Sequence, residues 1–149
     1  MSLGLGFAWR FSDAFSMDVD GYWTDWSEYI LEDDRGNQFS PIDGRPADES
    51  DVDDTIQVRL GGEYLFILED KNMAVPVRAG FFYDPEPSEG SPKDFFGFSI
   101  GSGISYRRFV FDVAYQLRYG NNVDTGNLIA SSTADIIQHT VLASLILHF

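Results

Sequence analysis

Seven stretches of this chain alternate apolar and polar side chains with a period of two. Successive side chains of a β-strand point to opposite faces, so this alternation marks strands with one apolar face. Residues 3–11 set Leu3, Leu5, Phe7, Trp9 and Phe11 against Gly4, Gly6, Ala8 and Arg10. Residues 15–30 set Phe15, Met17, Val19 and Trp23 against Asp18, Asp20, Tyr22 and Thr24. Residues 55–68 set Ile56, Val58, Leu60, Tyr64 and Phe66 against Gln57, Arg59, Gly61 and Glu63. The same pattern runs through 74–83 (Val75, Val77, Ala79, Phe81, Tyr83 against Pro76, Arg78, Gly80) and through 95–106. It continues through 109–119, where Phe109, Phe111, Val113, Tyr115, Leu117 and Tyr119 oppose Asp112, Ala114, Gln116 and Arg118. The fold class expected is all-β, an antiparallel meander in which each strand pairs with its sequence neighbour.

The seventh stretch is the tail. Val141, Ala143, Leu145, Leu147 and Phe149 are apolar, while Gln138, Thr140, Ser144 and His148 are polar; Leu142 and Ile146 break the alternation. The tail has about the length of a tilted strand crossing a bilayer. Chain termini usually fray, so a long apolar strand stopping at an aromatic is unusual for a water-soluble domain. Outer-membrane β-barrels resemble this tail closely: their last strand ends in Phe or Trp, an assembly signal read by the barrel-insertion machinery. Phe149 is the expected signal residue here.

Composition agrees with that resemblance. No apolar run approaches the roughly 18 residues of a membrane helix, and mean hydropathy is slightly negative, as alternating barrel strands allow. The net charge of −14 argues against nucleic acid, whose phosphates need Lys and Arg. With zero Cys there are no disulfides and no thiolate metal sites. Residues 1–7 hold no basic region or apolar signal core, so the chain is expected to be the C-terminal part of a longer polypeptide.

The apolar faces are aromatic at their ends. Phe11, Phe15, Phe66, Tyr106, Phe109 and Phe149 fall toward one end; Trp23, Tyr83, Phe96 and Tyr119 fall toward the other. Two aromatic girdles flanking an aliphatic band mark a lipid-facing barrel wall. A soluble sandwich with aromatic core corners is the alternative. Loop lengths favour the wall. Short turns are expected at 12–14, 69–73 and 107–108, all on the side where Phe149 ends; long loops at about 31–54, 84–94 and 120–135. Outer-membrane barrels have short periplasmic turns and long extracellular loops. The expected location is the outer membrane of a Gram-negative cell, with the C-terminus in the periplasm and lipid and lipopolysaccharide around the wall. Phe7, Val58, Leu60, Val77, Ile100, Val113 and Leu145 are expected to face that lipid. Bacterial single-chain barrels use an even number of strands, and open edges are costly in lipid. About seven strands therefore read as part of a larger transmembrane β-barrel.

Residues 21–29, Gly-Tyr-Trp-Thr-Asp-Trp-Ser-Glu-Tyr, resemble a motif of the FadL-type long-chain fatty acid transport proteins. Residues 55–64, then 77–87 with their Asp84-Pro85-Glu86-Pro87, and then 98–106 and 111–115, look like the strands that follow in that family. The resemblance covers nearly the whole chain as an ordered set of individually weak motifs. It implies a 14-stranded barrel with an N-terminal hatch that takes up hydrophobic, fatty acid-like small molecules, and no cofactor. The hatch and much of the ligand pocket would lie outside this chain. The acidic loop 31–54 is longer and more charged than the motif requires.

The polar faces carry Arg10, Arg59, Arg78 and Arg118 against Asp18, Asp20, Glu63 and Asp112. Charges in a barrel interior must be paired or hydrated, so most of these are expected to form a structural ladder of ion pairs. An Arg could instead meet a ligand carboxylate through its planar fork. Arg59 and Arg78 are the candidate ligand-binding residues. Loop 31–54 holds nine acids and only Arg35 and Arg45. Its spacing matches no complete EF-hand, and a solvated surface loop is expected rather than a metal site. His139 and His148 lie nine apart on opposite strand faces, so they cannot share one metal. No nucleophile-elbow motif is present, and no enzymatic activity is expected. A surface adhesin or secretion-system barrel would share the wall pattern. A lipase-type outer-membrane enzyme would need a Ser-His pair on one strand face, and no convincing pair exists.

Overall fold

A computed structural model describes residues 1–90, 92–124 and 133–149. Nine strands form in chain order: β1 (Ser2–Arg10), β2 (Phe15–Thr24), β3 (Leu31–Glu32), β4 (Gln38–Phe39), β5 (Thr55–Leu68), β6 (Met73–Tyr83), β7 (Phe95–Tyr106), β8 (Phe109–Asp124) and β9 (Thr133–Leu147). Seven of them make one sheet in the order β1-β2-β5-β6-β7-β8-β9, and β3-β4 form a separate small hairpin. Every pairing in the large sheet is antiparallel and joins sequence neighbours once the hairpin is set aside. The sheet is an open meander: β1 and β9 do not pair with each other.

The registers place every apolar series on one face. Phe7 stands opposite Val19, Val19 opposite Leu60, Leu60 opposite Phe81, and Phe81 opposite Phe98. The seven residues expected to face lipid all lie on this face, each between 41% and 69% exposed. No second layer covers it among the described residues. Apart from Pro76 and Pro85, Phe95 and Val123 are the only aliphatic or aromatic side chains buried among the described residues. A sandwich would bury this face against a second sheet; among the described residues no sheet packs on it, and the seven-stranded sheet keeps two distinct surfaces.

The turns explain the segregation of loop lengths. β1 and β2 are joined by a tight turn in which Ser12 Oγ accepts from the amides of Ala14 and Phe15. β5 and β6 are joined by one 3₁₀ turn (Glu69–Lys71), closed by Asn72 at φ 48°, a left-handed position Asn tolerates. β7 and β8 are joined by Arg107 and Arg108 alone, with Arg107 at φ 55°. The amide of His148 donates to the Arg108 carbonyl, so the chain ends on the short-turn side. The opposite end carries loops 25–54 and 84–94; the third long loop expected there, about 120–135, lies largely outside the described residues.

Three strands, β2, β8 and β9, differ from the expectation by more than one residue. β2 ends at Thr24 rather than residue 30, because the Asp25 carboxylate accepts from both the amide and hydroxyl of Ser27 and turns the chain. These bonds hold Asp25 below its ordinary carboxylate pKa, the Ser27 hydroxyl contributing most. β8 runs five residues past 119 and β9 begins at Thr133, with a register shift between Gly120 and Val123. Paired backbone carries these strands on where the side-chain alternation has faded.

Candidate functional site

The polar face is built on glycines. Gly4, Gly6, Gly61, Gly80, Gly97, Gly103 and Gly120 each lie beneath a cross-strand side chain, where a Cβ would collide. Tyr22 covers Gly4, Asp20 covers Gly6, Asp18 covers Gly61, Ser99 covers Gly80, Phe82 covers Gly97, Asp112 covers Gly103 and Phe95 covers Gly120. Large and charged side chains thereby lie flat on a surface that alternating bulk would have filled. The two glycines on the apolar strand faces, Gly21 and Gly62, meet nothing closer than 3.7 Å.

The charges expected on this face separate into groups. Arg78 is central: Nε donates to Glu63 Oε2 at 2.6 Å and Nη1 to Asp112 Oδ1 at 2.6 Å. Glu63 is its register partner on β5. Asp112 is two strands away on β8, and Arg78 reaches it across β7 at Gly101 and Gly103, where no side chain intervenes. Arg118 forms a second group at the long-loop end. It is half-buried, pairs with Glu86 at 2.9 Å and Asp84 at 3.7 Å, and lies 3.6 Å from the centre of the buried Phe95 ring. Arg10 sits at the other end, 3.9 Å from Asp13 in the adjoining turn. Among the described residues, Asp18, Asp20 and Arg59 form no ion pair. Arg59 lies over the Tyr22 ring, 5.5 Å from its centre.

The two candidate ligand residues therefore differ. Both guanidinium edges of Arg78 used here are taken by carboxylates, which fixes it as a cross-strand brace. Arg59 keeps its hydrogen-bonding fork open. Both line a groove of about 630 Å³ on the polar face, with Asp18, Asp20, Phe82 and Gln116 also in its walls. The bracing of Arg78 by Asp112 was not legible from β6 alone; the signal was the run of glycines in β7.

The long loops are tied together at their end of the sheet. Trp23 Nε1 donates to Asp54 Oδ2 and Trp26 Nε1 to Thr55 Oγ1, both at 2.9 Å. Val52 and Gly90 make a parallel bridge, and Arg45 pairs with Glu89. Within the hairpin, Asp33 accepts from the amides of Arg35 and Asn37 and from the Asn37 side chain. These bonds hold its carboxyl below the usual range, the Asn37 side chain contributing most. Among the described residues no three His, Asp or Glu side chains converge to hold a metal ion. His139 turns up on the apolar face with Nδ1 2.6 Å from the Tyr115 hydroxyl, a pair that uses its polarity locally. Phe149 is fully exposed beyond the end of β9. No helix among the described residues is long and apolar enough to cross a membrane. Compared with protein-family models, with curated proteins and with solved structures, the chain has no match.

Proposed function

We propose that this sheet is part of the wall of an outer-membrane β-barrel that passes hydrophobic small molecules. The observation carrying this reading is the uncovered apolar face, continuous across seven strands, backed by a polar face with braced charges. In water such a face would drive aggregation. In lipid it is the surface a spanning barrel presents, with polar groups turned to the lumen. Strand lengths of 9 to 16 residues meet the requirement for crossing. The short-turn and long-loop ends correspond to the periplasmic and outer sides of such a barrel.

Strand parity supports a larger barrel. Seven strands alternating in direction leave β1 and β9 running the same way. Closing the two edges on each other, or on a second copy, would need parallel seams. Antiparallel closure needs an odd number of further strands, and the seven of a 14-stranded barrel satisfy this. The resemblance to the FadL-type proteins supplies the substrate class, fatty acid-like compounds, with Arg59 as the available carboxylate anchor. The adhesin or secretion-system reading keeps the same wall without a solute pathway.

Depth-dependent fluorescence quenching tests the wall. Trp9 and Trp23 lie on the apolar face, whereas Trp26 belongs to the loops. In full-length single-tryptophan variants reconstituted with brominated lipid, Trp9 and Trp23 should be quenched and Trp26 spared. Equal sparing of all three would remove the membrane reading. Quenching as expected, with wild-type uptake of every hydrophobic compound after deletion of the protein, would leave the adhesin or secretion reading.

A further inference from the structure

Asp18 and Asp20 lie over glycines and form no ion pair among the described residues. They lie two residues apart on β2, about 6.8 Å along the strand. Asp20 stands opposite Arg59 in register, where a cross-strand ion pair would ordinarily form. None joins them. The glycines account for this. Asp20 leans the other way, over Gly6 of β1. Asp18 leans over Gly61 of β5, both its carboxylate oxygens 2.8 Å from where a Cβ would stand. Arg59 turns to Tyr22. Two carboxylates and one guanidinium are thus kept apart and open along one wall of the 630 Å³ groove.

The surrounding charge does not neutralise them. The groove is lined by Asp18, Asp20, Glu63 and Asp84 against Arg59 and Arg78. Glu63 and Asp112 already occupy Arg78, and Asp84 shares Arg118 with Glu86. The loops above add to the same sign: eleven acids in 25–54 and four in 84–94, against Arg35, Arg45 and Lys93. A mouth lined by one sign of charge concentrates the opposite sign. A plain carboxylate head entering this groove gains Arg59 and meets two uncompensated carboxylates.

We propose that the groove takes an amphiphile whose head carries an ammonium beside its carboxylate, with the carboxylate on Arg59 and the ammonium facing the side of the groove that carries Asp18 and Asp20. This rests on reading the polar face as the lining of a lumen. Tail chemistry is unchanged; the head class is zwitterionic, of the N-alkyl amino acid type, instead of a simple fatty acid.

The test uses the full-length protein in lipid nanodiscs and three probes sharing a twelve-carbon tail: laurate, dodecylammonium and N-dodecylglycine. Partition into protein-free discs is subtracted. N-dodecylglycine should bind roughly 10-fold more tightly than laurate, the worth of one charge-assisted contact. The double variant Asp18→Asn/Asp20→Asn should erase that preference. Arg59→Gln should weaken laurate and N-dodecylglycine while leaving dodecylammonium unaffected. Laurate binding as tightly as N-dodecylglycine to the wild-type protein overturns the proposal, whether or not the variants fold. An assembled, heat-modifiable barrel preferring laurate overturns the zwitterion assignment alone. A protein that fails to insert, or that binds none of the three, overturns the lumen reading with it.

Discussion

The two faces of this sheet follow opposite packing rules. On the apolar face, side chains stand beside one another and the two glycines have room around them. On the polar face, seven glycines lie under tyrosine, aspartate, serine and phenylalanine side chains, and the Arg78 ion pairs reach from β5 to β8. A surface meant for a disordered solvent, such as lipid chains, needs no fixed partners beyond its own edge-to-edge contacts. A surface meant to hold charges in fixed places needs clearance beneath each of them. The same backbone serves both because side chains alternate strictly across it.

The sharpest way to break this comparison is to move a charge to the wrong face. Leu60→Arg or Val113→Arg should cost about 2–4 kcal/mol in reversible unfolding of the protein in lipid, if the sheet is the proposed barrel wall and the site lies near the midplane. Gln116→Arg, one strand position on the polar side, should cost far less. A larger cost at Gln116 than at Leu60 or Val113 would mean the faces are assigned the wrong way round.

Glycine substitutions sharpen the contrast. Gly97→Ala places a Cβ against the Leu117 carbonyl as well as the Phe82 ring, and Gly103→Ala against the Phe111 carbonyl as well as Asp112. Backbone must then move, at about 1–3 kcal/mol. Gly21→Ala on the apolar face meets nothing within 4 Å and should be neutral or stabilising by roughly 0.5 kcal/mol. A thermal or denaturant series ranking Gly21→Ala with the other two would show that the clearance pattern is incidental.

Removing the brace should have a smaller effect. Arg78→Ala leaves Glu63 and Asp112 facing each other, but all three groups are partly hydrated. A loss of about 1 kcal/mol is expected, shrinking as salt is raised. Arg59→Ala should leave stability within roughly 0.5 kcal/mol, since it makes no ion pair. A larger loss at Arg59 than at Arg78 would reverse their roles as anchor and brace.

The smallest effect is in the loops. Asp33 is held below its ordinary pKa, so its contribution to the β3–β4 hairpin is present above the unfolded value of 3.8 and fades as pH falls through the lower folded value. Protection factors at the Arg35 and Asn37 amides, taken against the intrinsic exchange rate at each pH, should fall on acidification into that range, while those in β5–β8 stay unchanged. Unchanged protection at the two loop amides would show that the Asp33 carboxylate does not hold the turn.

Strand pairing, faces and turn placement were legible in the sequence because each depends on alternation over a few residues. What was missed depends on something else. The end of β2 is set by one Asp25 side chain. The β3–β4 hairpin hid inside an acidic loop, although Asp33 to Gly36 is a turn sequence with Gly36 at positive φ. The outer parts of β8 and β9 lose alternation because residues such as Asn121 and Asp135 break it. The difference between Arg59 and Arg78 required the register of three strands at once, since Asp112 lies 34 residues from Arg78.

The meander has a consequence for assembly and descent. Its backbone pairings all join strands adjacent in the sheet, so pairing information is held pair by pair. Such a chain can zip from one end, each step extending an existing edge. It can also gain or lose a whole hairpin without disturbing the registers elsewhere. Strand number is then the easily changed variable of this architecture, and the direction of its two free edges is the property that each such duplication preserves.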